Sequence, residues 1–256
     1  MKTDNSIQDI IKHKKNSIRL LNNTLEYYLS EGEHQNLKKA QLISKWILEF
    51  SNFIRFEDNF DPKKNIAYKR GDIIKVNFGF NIGSELGGVH YAVVIDNNNR
   101  HSSDTLVVIP LSSYKIEKNI YERDLFIGSE FFSLMVSRNK KLIDDAEKSR
   151  DELIKIISVL KNTNASETNS DELNKLILDF DKQKSIFEKK IEASKKCLDE
   201  VTMMKEGSIV KIEQIRTISK MRIWDPKKTR DILYGIHLSD STMNKINDKM
   251  KELFIH

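Results

Sequence analysis

The spacing of apolar residues predicts four long helices. In 5–29 and again in 37–54, apolar residues recur every three or four positions, as on one face of an amphipathic helix. The same spacing returns in 142–160 and 173–201, and a polar turn at 162–170 separates these two stripes. Two facing stripes joined by a short turn predict an antiparallel helical hairpin.

Between these helical stretches the period falls to two, which predicts strands. The alternation in 74–78 is that of a half-buried strand. The runs 91–95 and 106–109 are more densely apolar, which is typical of central strands. Two further strands are expected at 121–127 and 208–212.

The order of these patterns predicts an α+β protein in which helices are added to a small β core. The predicted division has five parts, which from the N-terminus are 1–58 (helical), 59–67 (linker), 68–135 (first part of the core), 136–205 (inserted hairpin) and 206–256 (second part of the core, ending in a helix capped near Ser239). Because the hairpin lies between two parts of the core, it is predicted to be an insertion and not a separate C-terminal domain.

Composition and charge narrow the class of protein. Of the 256 residues, 39% are hydrophobic and 32% are charged, with only three prolines and nine glycines. This balance favours long helices around a smaller β portion. The net charge of +5 is modest. The densest basic run is 211–230, which contains seven Lys and Arg residues and only two acidic residues, Glu213 and Asp225. The run predicts a surface for a polyanion, and a solvated surface without a partner is the alternative.

Several classes of protein are not expected. The single cysteine, Cys197, excludes an intramolecular disulfide and is typical of a reducing compartment. No apolar run is as long as a membrane span and no signal core begins the chain, so we expect a soluble, cytoplasmic protein with no membrane partner. His101, His237 and His256 have no spaced metal-ligand partners, and no G-x-x-x-x-G-K-[ST] motif occurs. We therefore expect no metal site, no cofactor and no nucleotide hydrolysis.

Two sequence blocks resemble the MazF/PemK family of toxin endoribonucleases. The first reads R-G-D-I-I-K-V-N-F at 70–78 and G-S-E-L-G-G-V-H at 83–90, where the family typically reads R-G-D-[IV]-x-x-[VA]-[DN]-[FL] and G-S-E-Q-G-G-x-R. The second, I-E-Q-I-R-T-I at 212–218, is similar to the family's late strand and follows in the family's order. The resemblance covers 68–130 and 206–256. It implies a small, twisted, partly barrel-like sheet with a C-terminal helix, which acts as a homodimer.

The resemblance also implies an activity and its partners. Members of the family cleave single-stranded RNA without metal, use the substrate's own 2′-hydroxyl as nucleophile, and leave a 2′,3′-cyclic phosphate and a free 5′-hydroxyl. The implied partners are single-stranded RNA, a cognate antitoxin that threads an acidic segment through the RNA groove, and operator DNA only through that antitoxin.

The two catalytic positions of the family fall on His90 and Ser112 of this chain. The family has an arginine where this chain has His90, and a Thr or Ser where it has Ser112. Arginine is always charged and forks to phosphate, whereas histidine titrates near neutrality, so the exchange is not conservative. Tyr91, in place of the family's proline, is a second departure. The resemblance implies further substrate-binding residues, which are Ser84, Glu85, Gly87, Gly88, Ser113, Gln214 and Arg216.

Three functions remain open from the sequence. The first is a toxin that is a metal-independent endoribonuclease, with His90 as general acid or base. The second is a catalytically impaired protein of the same fold that binds nucleic acid or a protein partner. The third is inhibition of a protein target, as by the gyrase poison CcdB, which shares the fold. The motif blocks favour the first over the third, and His90 favours the second over both.

Overall fold

The computed structural model describes residues 6–116, 119–162 and 170–255. Within these ranges the chain forms five α-helices and seven β-strands, and every strand pair is antiparallel. The predicted α+β class is therefore confirmed. The polar turn predicted at 162–170 lies almost wholly outside the described residues.

The first of two compact units consists of 6–60 together with the loop 79–88. Its helices are α1 (Ile7–Glu31) and α2 (His34–Glu57), which confirms the N-terminal helical pair. The side chain of Ser6 accepts a hydrogen bond from the backbone N–H of Asp9 and so caps α1. Gly32, with a φ of 65°, ends α1 in the left-handed conformation that glycine adopts without strain.

The second unit, 61–78 with 89–255, contains the β-sheet. Its strands are β1 (Ile73–Asn77), β2 (Val89–Val94), β3 (Thr105–Ser113), β4 (Leu125–Phe126), β5 (Ser208–Val210), β6 (Arg216–Ser219) and β7 (Ile223–Asp225). Their order in the sheet is β4-β5-β3-β2-β1-β7, and β6 pairs with β3 beside this path. β3 and β5, and likewise β1 and β7, are neighbours in the sheet although they are distant in sequence, and β2 and β3, which carry the candidate catalytic positions, also pair with each other.

Three helices of the second unit pack against this sheet. They are α3 (Glu130–Asn162), α4 (Ser170–Met203) and α5 (Asp240–Phe254). α3 and α4 lie along each other as the predicted hairpin, and α3 begins before the expected boundary at 136. The strands at the two ends of the hairpin pair with each other, with Phe126 opposite Ile209. Ser239 caps α5 through a hydrogen bond from the N–H of Thr242, as predicted.

The core lies between one face of the sheet and these three helices. Its buried members from the strands and the helices include Ile73, Val93, Ile109, Leu111, Val210, Phe131, Met135, Cys197, Met243 and Ile246. Burying a side chain of this size stabilises the fold by about 1.5–3 kcal/mol. Cys197 is a fully buried member of this core, and burial raises the pKa of its thiol.

Three strand predictions were wrong in extent. The strand expected at 121–127 is only Leu125–Phe126, because β5, its partner, has three residues. The strand expected at 208–212 ends at Val210. The late strand expected at 212–218 begins at Arg216, because Ile212–Gln214 forms a single turn of 3₁₀-helix with Ile212 buried. Apolar spacing alone does not separate such a turn from a strand.

Candidate active site

The R-G-D segment ahead of β1, which carries much of the family resemblance, is a packing element. The guanidinium of Arg70 donates hydrogen bonds to the backbone oxygen of Ile95 and to the side-chain oxygen of Asn247 in α5. The carboxylate of Asp72 lies 3.1 Å from Nδ1 of His237. These contacts fix the start of β1 against the C-terminal part of the chain, so the motif orients the strands that carry the candidate site.

The two candidate catalytic residues lie on neighbouring strands. β2 and β3 are adjacent antiparallel strands, and their ladder begins where Ala92 lies opposite Pro110, two residues from His90 on β2 and two residues from Ser112 on β3. Both side chains are half-buried. Together with Ser113 they line one cavity of about 280 Å³. The structure thus brings these three predicted site residues together, while their chemical roles stay a prediction.

Five more polar side chains line this cavity: Lys75, Tyr91, Glu200, Lys205 and Ser208. Glu200, in the last turn of α4, binds the ammonium of Lys75 with one carboxylate oxygen and accepts a hydrogen bond from the hydroxyl of Tyr91 with the other. The side chains of Lys75 and Glu200 are only 25% and 30% exposed. The inserted hairpin therefore delivers a carboxylate into the cavity that the strands form.

The packing of Tyr91 makes its hydroxyl a fixed donor. Its ring meets Phe131 of α3 edge-on, with the ring centroids 4.8 Å apart. Burial raises the pKa of Tyr91 far above its ordinary value, and the hydrogen bond to Glu200 raises it further. The phenol therefore stays protonated across the neutral range, and its O–H donates a hydrogen bond to Glu200. The tyrosine that replaces the family's proline thus has a definite structural role.

Sequence reasoning missed Lys75 and Glu200 as site residues. The alternation in 74–78 places Lys75 among the polar positions of a half-buried strand, and only its place opposite Tyr91 in the β1–β2 ladder marks it as a site residue. Glu200 lies 125 positions away from Lys75 along the chain, in a helix with many acidic residues. No signal in the sequence distinguishes it from its neighbours.

The loop residues expected to contact RNA belong to the first compact unit. They are Ser84, Glu85, Gly87 and Gly88. Within that unit the loop is closed by a 2.6 Å hydrogen bond from the N–H of Gly88 to the oxygen of Gly79, and by one from the Asn81 side chain to the oxygen of Leu86 at 2.7 Å. A Cβ at Gly87 would lie 2.8 Å from the oxygen of Gly79, so only glycine fits there. The role of this loop in binding stays a prediction.

Gln214 and Arg216, predicted on a substrate-facing strand, contact each other. Arg216 lies on β6 opposite Val108, while Gln214 lies in the preceding 3₁₀ turn. The guanidinium of Arg216 donates to the side-chain oxygen of Gln214 at 3.1 Å and lies 5.2 Å from the centre of the Phe78 ring. Neither residue is among those that line the cavity of His90.

The basic run 211–230 is in part a packing element. Lys211 forms a 2.5 Å ion pair with Asp124, whose side chain is 2% exposed. Lys220 is fully buried and donates hydrogen bonds to two backbone carbonyl oxygens. The desolvation that accompanies this burial lowers the pKa of its ammonium. Arg222 donates to a backbone oxygen at the end of β1. The run therefore offers fewer charges to a polyanion than the sequence suggests.

A second cavity of about 840 Å³ lies beside the first and shares Lys205 with it. It is lined by the aromatic side chains of Tyr114 and Phe126, whose ring centroids are 4.8 Å apart, and by Lys115. A Cβ at Gly207 would lie 2.8 Å from the Cβ of Tyr114, so the chain leaving α4 packs closely against this pair. β3 ends with Ser112 and Ser113 in the first cavity, and Tyr114 of the second cavity follows directly.

Two further features concern the part of the chain that the structure describes, namely possible metal ligands and membrane-spanning helices. No group of three or more His, Cys, Asp or Glu side chains there is placed to hold a metal ion. None of the described helices is both long enough and apolar enough to cross a membrane.

Comparison with known families gives one match. A family model described as "PemK-like, MazF-like toxin of type II toxin-antitoxin system" matches residues 69–147, which span β1 to β4 and the first half of α3. The matched segment includes His90 and Ser112 but not the block at 212–218, whose resemblance stays a prediction. A search of curated proteins found no match to the chain.

Proposed function

We propose a function on the ground that residues 69–147 belong to the PemK-like, MazF-like family of toxins of type II toxin-antitoxin systems. The chain is an endoribonuclease toxin that cleaves single-stranded RNA, such as mRNA, without metal and through the RNA's own 2′-hydroxyl. The products carry 2′,3′-cyclic phosphate and 5′-hydroxyl ends. The observation that supports this proposal most directly is the cavity shared by His90 and Ser112.

The reaction exchanges one phosphorus–oxygen bond for another and requires two proton transfers. The 2′-oxygen loses a proton and bonds to phosphorus, while the bond from phosphorus to the 5′-oxygen breaks and that oxygen gains a proton. His90 serves one of these transfers, since an imidazole with an ordinary pKa near 6.5 exchanges protons readily at neutral pH. Ser112 donates a hydrogen bond to a phosphate oxygen as negative charge develops there.

The second cavity supports RNA as the substrate. Single strands bind where a positive groove follows the backbone and aromatic rings offer faces for bases. Tyr114 and Phe126 are such rings, and Phe126 is 41% exposed. Lys115 and Lys205 add the positive charge. A strand whose scissile phosphate lies at Ser112 would place a neighbouring base against these rings.

The proposed partners follow from family membership. The toxin acts in the cytoplasm as a homodimer and is neutralised by a cognate antitoxin. An acidic antitoxin segment occupies the groove that RNA needs, so RNA and antitoxin exclude each other. Operator DNA is reached only through the antitoxin.

A binding protein without cleavage is the second candidate, and two observations favour it. His90 replaces an arginine that would be permanently charged. Glu200 places a carboxylate in the same cavity. This carboxylate would repel a phosphate unless nearby cations offset the repulsion. No observation at the site favours gyrase inhibition.

Cleavage of a long single-stranded RNA in the presence of EDTA tests the proposal. We expect fragments with 5′-hydroxyl ends, and loss of cleavage by roughly 10²-fold or more in His90→Ala and in Ser112→Ala. His101→Ala is the matched control, because the imidazole of this exposed histidine contacts the backbone oxygen of Asn65 and does not line the cavity. RNA that stays intact with the wild-type protein, but binds it, would establish the second candidate instead.

The pH dependence separates the two readings of His90. If His90 transfers a proton, the cleavage rate has an inflection near neutrality that is absent in His90→Arg. A large gain of rate in His90→Arg would instead mean that the native site is impaired. A profile that is flat from pH 5.5 to 8.5 would remove His90 from the proton transfer.

A further inference from the structure

The site needs a cation that position 90 does not supply permanently. Negative charge develops on the phosphate during the reaction, and a preorganised positive group in the cavity stabilises it. His90 carries charge only when protonated. Among the cavity-lining residues that the structure describes, the permanent cations are Lys75 and Lys205.

These two lysines differ in how firmly they are held. Lys75 lies within β1, directly opposite Tyr91 on β2, and its ammonium lies 5.6 Å from the centre of the Tyr91 ring. Its ammonium also contacts Glu200. Lys205 follows the end of α4 and is exposed. A cation stabilises a transition state best when it is already in place, and Lys75 meets that condition.

Glu200 holds Lys75 without occupying all of its N–H donors. An ammonium has three N–H donors, and the carboxylate takes up one side of it. The second carboxylate oxygen binds the hydroxyl of Tyr91, whose ring is itself held by Phe131. These four side chains thus form a chain of contacts from α3 and α4 to the two strands. The remaining donors of Lys75 are available to a phosphate oxygen.

We propose that Lys75 is the phosphate-binding cation of this site, in place of the arginine missing at position 90, and that Glu200 positions it. This inference rests on the proposed ribonuclease function. It assigns Lys75 as a catalytic residue that contacts the substrate and Glu200 as a positioning residue that acts through Lys75. The inserted hairpin is then part of the active site, since α4 supplies Glu200.

The contrary interpretation is an ion pair that merely attaches α4 to the sheet. Partly exposed ion pairs contribute little to stability, at most about 1 kcal/mol. In that case Lys75 would have no particular effect on RNA, and any charge change on the surface would act alike. The two interpretations differ in salt dependence and in kinetics.

Binding of a non-cleavable RNA, with 2′-deoxyribose at the scissile position, tests Lys75 first. Each phosphate contact adds about 0.7 to the slope of log affinity against log salt for a single strand. We expect Lys75→Met to reduce the slope by about that amount, and His90→Arg in the Lys75→Met background to restore it. Lys155→Met, an exposed lysine on α3 that changes the net charge equally, should leave the slope unchanged. Equal slopes for Lys75→Met and the wild type would overturn the assignment.

Single-turnover cleavage then tests Glu200. Lys75→Met should lower the rate constant by roughly 10²- to 10³-fold, as for loss of one oxyanion donor. Glu200→Gln removes a negative charge but keeps the shape, so we expect tighter RNA binding together with a rate lowered roughly tenfold to 10²-fold by misplacement of Lys75. A purely structural Glu200 would not separate the two effects. Tighter binding with a faster rate would overturn the positioning role and make Glu200 a competitor of the phosphate.

The outcomes remain interpretable when a variant fails or the function is wrong. If Lys75→Met does not fold, Lys75→Arg keeps the charge and should keep the salt slope while lowering the rate. If the wild-type protein does not cleave RNA, the ribonuclease function fails, and the slope measurement still decides whether Lys75 binds phosphate. If the wild-type protein does not bind RNA at all, both proposals fall together.

Discussion

Replacing Gly71 by alanine should destabilise the second unit more than the same change at another glycine of similar conformation. Gly71 has a φ of 89°, and a Cβ there would lie 2.5 Å from Cε1 and 2.6 Å from Nε2 of His237. The backbone has little room to shift, because the N–H of Gly71 donates to Val94 at 2.8 Å and its oxygen accepts from Leu238 at 3.0 Å. The imidazole must therefore move.

The expected loss combines two effects. A side chain in the left-handed region costs about 1–2 kcal/mol. Displacing the ring breaks its hydrogen bond to Asp72, a loss of about 0.5–1.5 kcal/mol. Because His237 is 43% exposed, its ring can move toward solvent, and we add no large overpacking cost. Gly71→Ala should then lower the free energy of unfolding by about 1.5–3.5 kcal/mol.

Urea unfolding followed by circular dichroism measures this loss, provided that the dependence on urea stays constant. Gly235→Ala is the matched control, since Gly235 has a φ of 77° and no heavy atom within 4 Å of the added Cβ. It should show the conformational cost alone. In the His237→Ala background, Gly71→Ala should lower the free energy of unfolding by the same amount as Gly235→Ala does. Equal losses at Gly71 and Gly235 in the presence of His237 would refute the steric reasoning.

Three further predictions concern charge and burial. Burial lowers the pKa of Lys220, so the native protein releases this proton at a lower pH than the unfolded protein does. The free energy of unfolding should therefore rise with pH between the folded pKa and about 10.5. In Lys220→Met, the free energy of unfolding measured from pH 8 to 10 should rise less steeply. Burial raises the pKa of Cys197, so iodoacetamide should modify it only when urea unfolds the chain, and rapid labelling of native protein would contradict its place in the core. Lys227→Ala with Lys228→Ala should weaken binding to all RNA sequences alike and reduce the salt slope by about 0.7 per lost contact; unchanged affinity at low salt would make this run a solvated surface.

Much of the fold follows from local patterns. The alternation in β1 and the stripes of α3 and α4 specify their own elements, because each pattern matches one period of backbone geometry. The lengths of β4 and β5 do not follow in this way. A strand extends only as far as its partner, and the partner of Phe126 lies beyond the whole hairpin. Likewise an apolar residue at position 212 is compatible with a strand and with a buried turn, so the sequence does not distinguish them.

The candidate site divides along the same line. His90 and Ser112 could be predicted because the family resemblance marks their positions on two strands, and these two strands pair with each other in the sheet. Glu200 could not, because its contact with Lys75 depends on how two long helices pack and where the second one ends. The R-G-D motif shows the reverse case. Its sequence supports the family resemblance, but the side chain of Arg70 contributes to packing and not to the candidate site.

The residues of the candidate site come from two stretches of sequence, one before and one after the turn of the inserted hairpin. A single chain break in that turn would separate them. A cut within 163–169 would leave His90 and Ser112 on one fragment and Glu200 on the other. Neither fragment would hold all the strands of the sheet, since β5, β6 and β7 come after the cut. Reassembly would depend on the long contact between α3 and α4 and on the pairing of β3 with β5. The same insertion that completes the cavity thus offers a place to divide this protein into two fragments, and the cavity would form again only when the fragments associate.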